Sequence, residues 1–345
     1  MKRVGIVTWF CTPNFGSQLQ AYAMNSVLRS LGYLPEFLIF VNHELVHKVL
    51  SFVSLFSIYK TNYYKFCKKH LRIKTINPNK YQSISDNYCA MICGSDQIWA
   101  PNVFNPHYYL SFVPDSIPMI SYSTSIGLDY IPDNLIENYR KYVGRLSHVS
   151  VREERGKELL SSIGLASEVT IDPTFLIPAK EWRKLKDSSY LGKRYVFCYF
   201  LNEKHQYKRL INKITTDNVP IIGVSYNKLD TEWMECLDIN KVGPEQFLGL
   251  IDNAEMVITD SYHGTIFSLL FHKKFVTIER FSNEDAVCQN SRIRQLKKYF
   301  EIDGLIVNSS QDTIGSIESI DYIEFENRLS SLRKKSMSYL INALK

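Results

Sequence analysis

One stretch of this chain sets a histidine where an α/β protein binds its ligands. Residues 257–267, Val-Ile-Thr-Asp-Ser-Tyr-His-Gly-Thr-Ile-Phe, predict a buried strand, a polar turn holding His263, and then a helix. Ligands of open α/β sheets bind beyond the carboxyl ends of the strands, and the N–H groups that start the next helix attract anions. Because imidazole exchanges protons near neutral pH, His263 is a candidate acid, base or anion-binding residue. The alternative is a histidine that only caps its helix.

A second turn of this kind lies near the start of the chain. Residues 4–9 are apolar and of strand length, and apolar residues recur at helical spacing from 18 to 31. Between them Asn14 and Ser17 offer short polar groups, and Gly16 lets the backbone approach a ligand closely. The loop lacks both GxGxxG and the lysine of a P-loop, which argues against an ordinary dinucleotide or P-loop site. An N-cap without a ligand is the alternative.

Three more polar turns follow predicted strands, at residues 94–99, 123–127 and 152–155. Arg152 is the most informative residue in them, because a guanidinium at a strand end can bind a carboxylate or phosphate bidentately. The alternative for Arg152 is a surface salt bridge with Glu153 or Glu154, which would contribute little to stability. Since all five turns have the same relation to a strand, we expect them to converge on one site.

Strands and helices alternate along the chain, the pattern of a doubly wound α/β protein. Strands are predicted at 3–9, 34–41, 89–93, 118–123, 147–151, 168–171, 195–201, 220–225, 255–259 and 275–279. A length of 345 residues exceeds what one hydrophobic core usually serves, and the polar stretch 182–193 predicts a hinge between two domains. The last segment, 323–344, has helical spacing, and we expect it to pack back across the first domain.

The composition is that of a soluble globular protein, with 45% hydrophobic and 22% charged residues. The seven cysteines form no CxxC pair, and no His/Cys cluster has metal-ligand spacing, so we expect reduced thiols and no metal site. Met1-Lys-Arg leads directly into the first predicted strand, so we expect a cytoplasmic protein. A net charge of +6 fits anionic ligands or a membrane surface but does not argue for nucleic acid.

Taken together, the polar turns resemble those of the polysaccharide pyruvyl transferase family, and they occur in the family's order. The segments that carry the resemblance are Asn14-Phe-Gly-Ser17, Gly94-Ser-Asp-Gln-Ile-Trp99, Ser123-Thr-Ser-Ile-Gly127, Ser150-Val-Arg-Glu153, Ile171-Asp-Pro173 and Asp260-Ser-Tyr-His-Gly-Thr265. The resemblance implies two Rossmann-like domains in a GT-B-like arrangement with an interdomain cleft. We expect an N-terminal domain at 1–185 with a helical insertion at about 43–80, a C-terminal domain at 190–322, and a final helix at 323–345.

The resemblance also implies an activity, the transfer of a pyruvyl group from phosphoenolpyruvate to a pair of sugar hydroxyls. The product would be a pyruvate ketal on a surface glycan or its precursor, with no cofactor beyond the co-substrate. His263 is then the expected catalytic residue. The expected donor-binding residues are Arg152, Asn14, Gly16, Ser17, Ser95, Asp96, Gln97, Ser125, Ser261, Gly264, Thr265 and Arg292.

One departure from the family pattern concerns the donor. Where the family has Arg-Leu-His, this chain has Ser261-Tyr262-His263, so a cation expected beside the donor is absent from the turn. The cations available to replace it are Arg292, Arg294, Lys273 and Lys274. A different donor is the other explanation.

Two other functions remain open. A GT-B glycosyltransferase using a nucleotide sugar would need a carboxylate for the ribose in the second domain, where Glu279 and Glu284 are available. A non-catalytic glycan-binding protein on the same fold is the second alternative.

Residues 45–74 predict a peripheral membrane contact at the inner face of the membrane. The segment Leu45–Ile58 is apolar but too short to span a bilayer, and residues 60–74 are basic. Over residues 43–80 there are eight Lys and Arg against one Glu. An apolar helix followed by a basic one is typical of monotopic membrane binding, and a lipid-linked acceptor would make such docking useful. The alternative is a buried helix with a solvated basic neighbour.

Overall fold

The computed structural model of the protein describes residues 1–40, 61–76, 87–201, 206–215, 219–225, 234–281, 285, 288–308 and 320–345. The predicted apolar helix at 45–58 lies outside the described residues. The chain divides into two units, the first comprising residues 1–176 and 331–345 and the second comprising residues 177–330. Each unit is built on its own parallel sheet, which confirms the predicted α/β class with two Rossmann-like units.

The main sheet of the first unit has five parallel strands in the order β3-β2-β1-β4-β5. Their bounds are β1 Arg3–Val7, β2 Leu34–Phe40, β3 Ile73–Ile76, β4 Ala90–Cys93 and β5 Met119–Ser121. The central strands β1 and β4 are almost completely buried, which is why they read as short apolar runs without alternation. A separate parallel pair follows, formed by β6 Ser150–Val151 and β7 Glu168–Val169.

In the part of the chain that the structure describes, five helices of the first unit precede the division between the units. They are α1 Phe15–Ser30, α2 Asn62–His70, α3 Asp133–Val143, α4 Glu154–Ser162 and α5 Pro173–Leu176. The side chain of Asn14 starts α1 by accepting hydrogen bonds from the N–H groups of Gly16 and Ser17. Because α1 follows β1, its amino end lies at the carboxyl edge of the sheet, where the candidate residues are.

The second unit repeats this plan with six parallel strands in the order β10-β9-β8-β11-β12-β13. Their bounds are β8 Val196–Phe200, β9 Ile221–Ser225, β10 Glu235–Asp238, β11 Met256–Thr259, β12 Lys274–Glu279 and β13 Ile306–Asn308. The helices are α6 Ala179–Leu185, α7 Gln206–Ile214, α8 Pro244–Asn253, α9 Tyr262–Leu270 and α10 Ser291–Phe300.

The division between the units falls earlier than the polar stretch 182–193. Residues 177–185, which the sequence assigns to the first domain, lie in the second unit. The physical reason is Trp182, whose fully buried ring meets the ring of Phe267 edge-on at 5.0 Å.

The last helix, α11 Tyr322–Ala343, contributes to both units. In the second unit the ring of Phe325 lies 4.8 Å from that of Phe300. In the first unit the phenol of Tyr339 donates to the carbonyl of Ser121 at 2.9 Å, and the hydroxyl of Ser336 accepts the N–H of Ile171 at 3.0 Å. Within the described part of the chain, no helix combines the length and the apolar character that crossing a membrane requires.

Candidate functional site

The strand order of the first unit reverses between β1 and β4, and ligands of doubly wound sheets bind at such a reversal. The chain leaves β4 at Gly94, whose φ of +106° suits glycine. A Cβ at Gly94 would lie 2.3 Å from the carbonyl oxygen of Tyr122, so only glycine lets the chain turn here against β5. The turn carries Ser95 and Asp96 to the carboxyl edge of the sheet, beside the end of β1.

Asp96 joins the first two polar turns. Its carboxylate accepts a hydrogen bond of 2.5 Å from the hydroxyl of Ser17 and one of 2.8 Å from the N–H of Gln97. The Gln97 side chain lies against the backbone of Gly127. A Cβ added at Gly127 would lie 2.2 Å from the side-chain amide nitrogen of Gln97. These contacts bring Ser17, Asp96 and Gln97 together. Asn14 acts here as the cap of α1.

Gln20 connects the same turns from inside α1. Its amide nitrogen donates to Thr8 Oγ1 at 3.0 Å and to the carbonyl of Trp9 at 2.9 Å, while its oxygen accepts the N–H of Ser95 at 3.2 Å. Sequence reasoning missed Gln20, which is fully buried in a helix whose other core positions are mostly apolar. A polar residue at such a position was the available signal, because buried amides require partners.

Glu153 organises the turn at 123–127. One of its carboxylate oxygens accepts three hydrogen bonds, from the hydroxyl of Ser125 at 2.9 Å and from the N–H groups of Ile126 and Gly127 at 3.0 and 3.1 Å. The side chain is 2% exposed, so the carboxylate is held by these donors rather than by water. Ser125 therefore faces Glu153, a residue that the resemblance contained but that the predicted site did not.

Arg152 is buried, so its pair with Glu153, at 3.9 Å between Nε and the carboxylate, is not the surface salt bridge considered as the alternative. Its side chain is 1% exposed, and Nη1 donates to the carboxylate of Asp172 at 2.8 Å. Asp172 also accepts two hydrogen bonds from Thr174 and one of 3.3 Å from the hydroxyl of Ser95. A buried charge needs such compensation, because desolvating an ion is costly. Arg152 and Ser95 thus share a partner, which the sequence analysis did not include in the site.

These contacts form one continuous array, which we call the first-unit network. Its members are Ser17, Gln20, Ser95, Asp96, Ser125, Arg152, Glu153 and Asp172. All are buried, and they come from the ends of four strands and from the start of α1. The predicted residues Gly16 and Asn14 lie beside the network, at the cap of α1.

In the second unit, His263 lies in the first turn of α9, just after the carboxyl end of β11. Ser261 caps α9, since its hydroxyl accepts the N–H of Gly264 at 3.3 Å. Gly264 allows α9 to approach β11 closely, because a Cβ there would lie 2.5 Å from Thr259 Oγ1. Thr265 ties the same turn to β12 through a contact of 2.7 Å with the hydroxyl of Thr277. His263 itself is 5% exposed.

Of the four cations considered as replacements for the missing arginine, Arg292 is the one beside this turn. Its guanidinium lies 5.6 Å from the ring centroid of Tyr262, and that ring lies 5.2 Å from the ring of His263. The Arg292 side chain also donates to Gln289 Oε1 at 3.3 Å.

The other three cations lie elsewhere in the second unit. Lys274 begins β12 and pairs in register with Met256, the first residue of β11, so it lies at the amino edge of the sheet, opposite His263. Lys273 precedes it and donates to the carbonyl of Asp252 at 3.0 Å. Arg294 is exposed on α10 and donates to Cys288 Sγ at 3.7 Å. Of the four cations, Arg292 is therefore the one whose contact with this turn the structure describes, and its role as the replacement stays a prediction.

Asp260 has the same role in the second unit as Asp96 in the first: its carboxylate accepts a hydrogen bond from the segment that follows the neighbouring strand. It follows β11 next to the strand-order reversal between β8 and β11, and its carboxylate accepts the N–H of Leu201 at 2.7 Å. Tyr207 donates to it at 3.4 Å. Burial, and then the nearby carboxylate of Asp260, raise the pKa of Tyr207. Asp260 therefore fixes the loop after β8 relative to the turn that carries His263.

Comparison with known families agrees with the resemblance in the turns. Residues 14–283 match the family model described as polysaccharide pyruvyl transferase. The match contains the expected catalytic residue and every expected donor-binding residue except Arg292. No curated protein matches the sequence.

Solved structures similar to the chain include UDP-GlcNAc 2-epimerases. UDP-GlcNAc 2-epimerase from Neisseria meningitidis, bound to UDP-GlcNAc, has a TM-score of 0.53 at 12% identity and covers 100% of this chain and 99% of its own. The UDP-GlcNAc 2-epimerase from Methanocaldococcus jannaschii gives a TM-score of 0.53 at 11% identity, covering 97% of this chain and 92% of its own. At such identities the likeness concerns the fold alone, and that fold is of the predicted GT-B class.

Proposed function

Since this chain belongs to the polysaccharide pyruvyl transferase family, we propose that it moves a pyruvyl group from phosphoenolpyruvate to two hydroxyls of one sugar. The product is a pyruvate ketal, made during the biosynthesis of a surface polysaccharide. Phosphoenolpyruvate is a co-substrate here, and the scheme uses no other cofactor.

The reaction needs a proton donor and a site for anions. A proton added to the methylene carbon of phosphoenolpyruvate leaves an oxocarbenium-like centre at C2. One sugar hydroxyl attacks C2, the C2–O bond to phosphate breaks, and the second hydroxyl closes the ketal ring. The two hydroxyls release two protons, of which one replaces the proton added to the methylene carbon and the other leaves with phosphate. The carboxylate and the phosphate must be held by cations and N–H donors throughout.

The observation that carries the proposal is the grouping of His263 and Arg292 around Tyr262. His263 is an acid or base of the right type for the protonation step, or a partner for the phosphate. Arg292 supplies a guanidinium near the place where the family has an arginine, and a guanidinium binds carboxylate or phosphate bidentately. The N–H groups in the first turn of α9 add donors that favour an anion.

The test is incubation with phosphoenolpyruvate and a panel of glycan acceptors, following phosphate release and the mass gain of the acceptor. A parallel arm offers UDP-sugars and follows UDP release, because a nucleotide-sugar transferase is the main rival. We expect phosphate release and acceptor mass gain together, with no UDP release.

Two arginines of α10 provide the matched variants. Arg292→Ala should raise the KM for phosphoenolpyruvate at least tenfold, since a charge-assisted contact to an anion is lost (about 1.5–3 kcal/mol). Arg294→Ala removes the same side chain two residues away, on the exposed side of the helix, and should leave that KM unchanged. Turnover of UDP-sugars in place of phosphoenolpyruvate, or equal effects of the two variants, would overturn the proposal.

A further inference from the structure

The first unit contains a cavity of about 300 Å³ that the proposed donor chemistry does not use. It opens where the chain leaves β1 and β2, so it lies at the carboxyl edge of the sheet. Its lining includes aromatic and polar side chains, of which six matter for the argument. They are Trp9, Phe40 and Tyr108, with Thr12, Asn105 and His107.

The aromatic rings of the cavity are held in defined positions. Trp9 meets Tyr108 edge-on, with ring centroids 6.1 Å apart and planes at 86°, and Phe40 lies 4.5 Å from the ring of His107. The backbone carbonyl of Trp9 is fixed by Gln20 of the first-unit network. The face of an aromatic ring is electron-rich, and it attracts the weakly positive C–H groups on one side of a pyranose ring.

The described residues that line the cavity are uncharged at neutral pH or apolar, so they do not suit the anionic donor. Among the described residues that line it there is no Lys, Arg, Asp or Glu. Burial lowers the pKa of His107 below its ordinary value, which favours the uncharged form of the ring. Phosphoenolpyruvate carries a carboxylate and a phosphate, and placing them here without a cation would be costly. A neutral polyol avoids this cost and can use the side chains of Asn105 and Thr12 for hydrogen bonds.

The cavity also adjoins the first-unit network. Thr8 lines it, and the hydroxyl of Thr8 donates to the carbonyl of Ser95 at 2.8 Å. The next residue, Asp96, bonds to Ser17. A sugar in the cavity would therefore lie beside the buried polar groups that follow β4.

We propose that this cavity binds a neutral pyranose ring of the acceptor glycan, with Trp9 as its stacking platform and Asn105 and Thr12 as hydrogen-bonding groups. The role as acceptor site rests on the proposed function. The binding of a neutral sugar does not, because it follows from the wall of the cavity alone.

Binding is tested by saturation-transfer NMR with the methyl pyranosides of glucose, galactose, mannose and N-acetylglucosamine. We expect transfer to the ring protons of at least one of them in the wild-type protein. Trp9→Ala should weaken that binding about tenfold, while Trp9→Phe, which keeps an aromatic face, should retain most of it. Tyr130→Ala is the matched control, since it deletes an aromatic ring that is 47% exposed in the same unit. Thermal unfolding of each variant shows whether it is folded.

A second readout uses the thiol of Cys11, which also lines the cavity. A hydrogen bond with Cys67 lowers the pKa of Cys11, which increases its thiolate fraction and its reactivity. The bound methyl pyranoside should slow alkylation of Cys11 by iodoacetamide, measured by mass spectrometry. Cys236 of the second unit, also partly exposed, is the internal reference and should react at the same rate with and without sugar.

The outcomes separate this proposal from the proposed function. Loss of sugar binding in Trp9→Ala but not in Tyr130→Ala supports the cavity even if phosphoenolpyruvate is not the donor. If Trp9→Ala still forms the ketal with an unchanged KM for the acceptor, the cavity is not the acceptor site, while the proposed function stands. Absence of saturation transfer to all four glycosides, or equal loss in both alanine variants, overturns the proposed sugar binding.

Discussion

At the scale of single residues, His263 is the group whose chemistry is most directly testable. His263→Asn keeps a hydrogen-bonding side chain of similar size but cannot transfer a proton. If His263 is the acid or base, kcat should fall by about two to four orders of magnitude while the KM for phosphoenolpyruvate changes little. If His263 instead binds the phosphate, the KM should rise and kcat should change less. Steady-state kinetics with phosphate release as the signal distinguishes the two roles.

The matched control for this prediction is His272→Asn, a histidine two residues beyond the end of α9. His272 is partly exposed and contacts Glu326 at 2.9 Å. Its φ is +56°, a conformation that asparagine tolerates, so this variant should fold and retain wild-type turnover. Near-wild-type kcat and KM in His263→Asn would remove the histidine from the mechanism.

Arg152 contacts Asp172 and is also proposed to bind the donor, and different measurements test these two roles. The buried pair with Asp172 predicts that Arg152→Ala lowers the free energy of unfolding by about 3–5 kcal/mol, the usual cost of breaking such a pair. Arg152→Lys keeps the charge but loses the planar fork, so it should be less destabilising. If Arg152 also binds the donor, Arg152→Lys should raise the KM for phosphoenolpyruvate. Urea unfolding and steady-state kinetics measure the two effects.

Arg155→Ala is the control for the stability part of this prediction. Arg155 belongs to the same segment, its side chain is 43% exposed, and it pairs with Glu158 at 3.1 Å. An exposed pair is worth about 1 kcal/mol or less. Equal destabilisation by Arg152→Ala and Arg155→Ala would contradict the buried pair. An unchanged KM in Arg152→Lys would leave Arg152 with a structural role only.

At the scale of elements, the strands that the sequence does not predict share one property. They are β3, β10 and β13, and all three are edge strands of their sheets. An edge strand is covered less, so its residues need not be apolar; the four residues of β10 are Glu-Cys-Leu-Asp, and none is fully buried. The central strands β1, β4, β8 and β11 are buried throughout or nearly so, and their apolar runs are visible in the sequence.

The same physical reason explains which parts of the candidate site were visible in the sequence. Turns after central strands combine a clear apolar run with polar residues, so Asp96, Ser125 and His263 stand out. Gln20 and Asp172 do not, because their partners lie 75 and 20 residues away along the chain. The position of Lys274 at the amino edge was equally hidden, since it depends on the strand register and not on spacing.

At the scale of the whole molecule, the two units follow the same design. Each parallel sheet reverses its strand order once, and each reversal is followed by a buried aspartate, Asp96 in the first unit and Asp260 in the second. Each aspartate bonds to the segment after the neighbouring strand, through Ser17 in one case and Leu201 in the other. Both carboxyl edges are therefore held in place by buried hydrogen bonds, which suits sites that must present polar groups in fixed positions.

The predicted membrane contact depends on where the basic residues of segment 60–74 lie on the molecule. Part of the basic segment 60–74 forms α2, which buries Tyr63, Phe66 and Cys67 and exposes Lys65, Lys68 and Lys69. The apolar side of α2 packs in the first unit, where the ring of Phe66 lies 5.8 Å from that of Tyr22. The apolar residues of α2 are thus engaged within the protein, and its lysines lie on the exposed side of the helix.

We therefore predict that the lysines of α2 contribute electrostatic attraction when this segment binds a membrane. Anionic headgroups attract a well-placed cation with about 1 kcal/mol, so replacing both Lys68 and Lys69 by Gln should lower partitioning onto anionic vesicles roughly thirtyfold at low salt. The matched control is the double replacement of Lys334 and Lys335 by Gln, because these adjacent lysines are also exposed on a helix and the change in net charge is identical. Co-sedimentation with liposomes, with and without anionic lipid, measures the partitioning. Equal losses in the two variants would mean that the attraction follows net charge alone, and absence of lipid-dependent pelleting by the wild-type protein would leave α2 as a solvated basic helix.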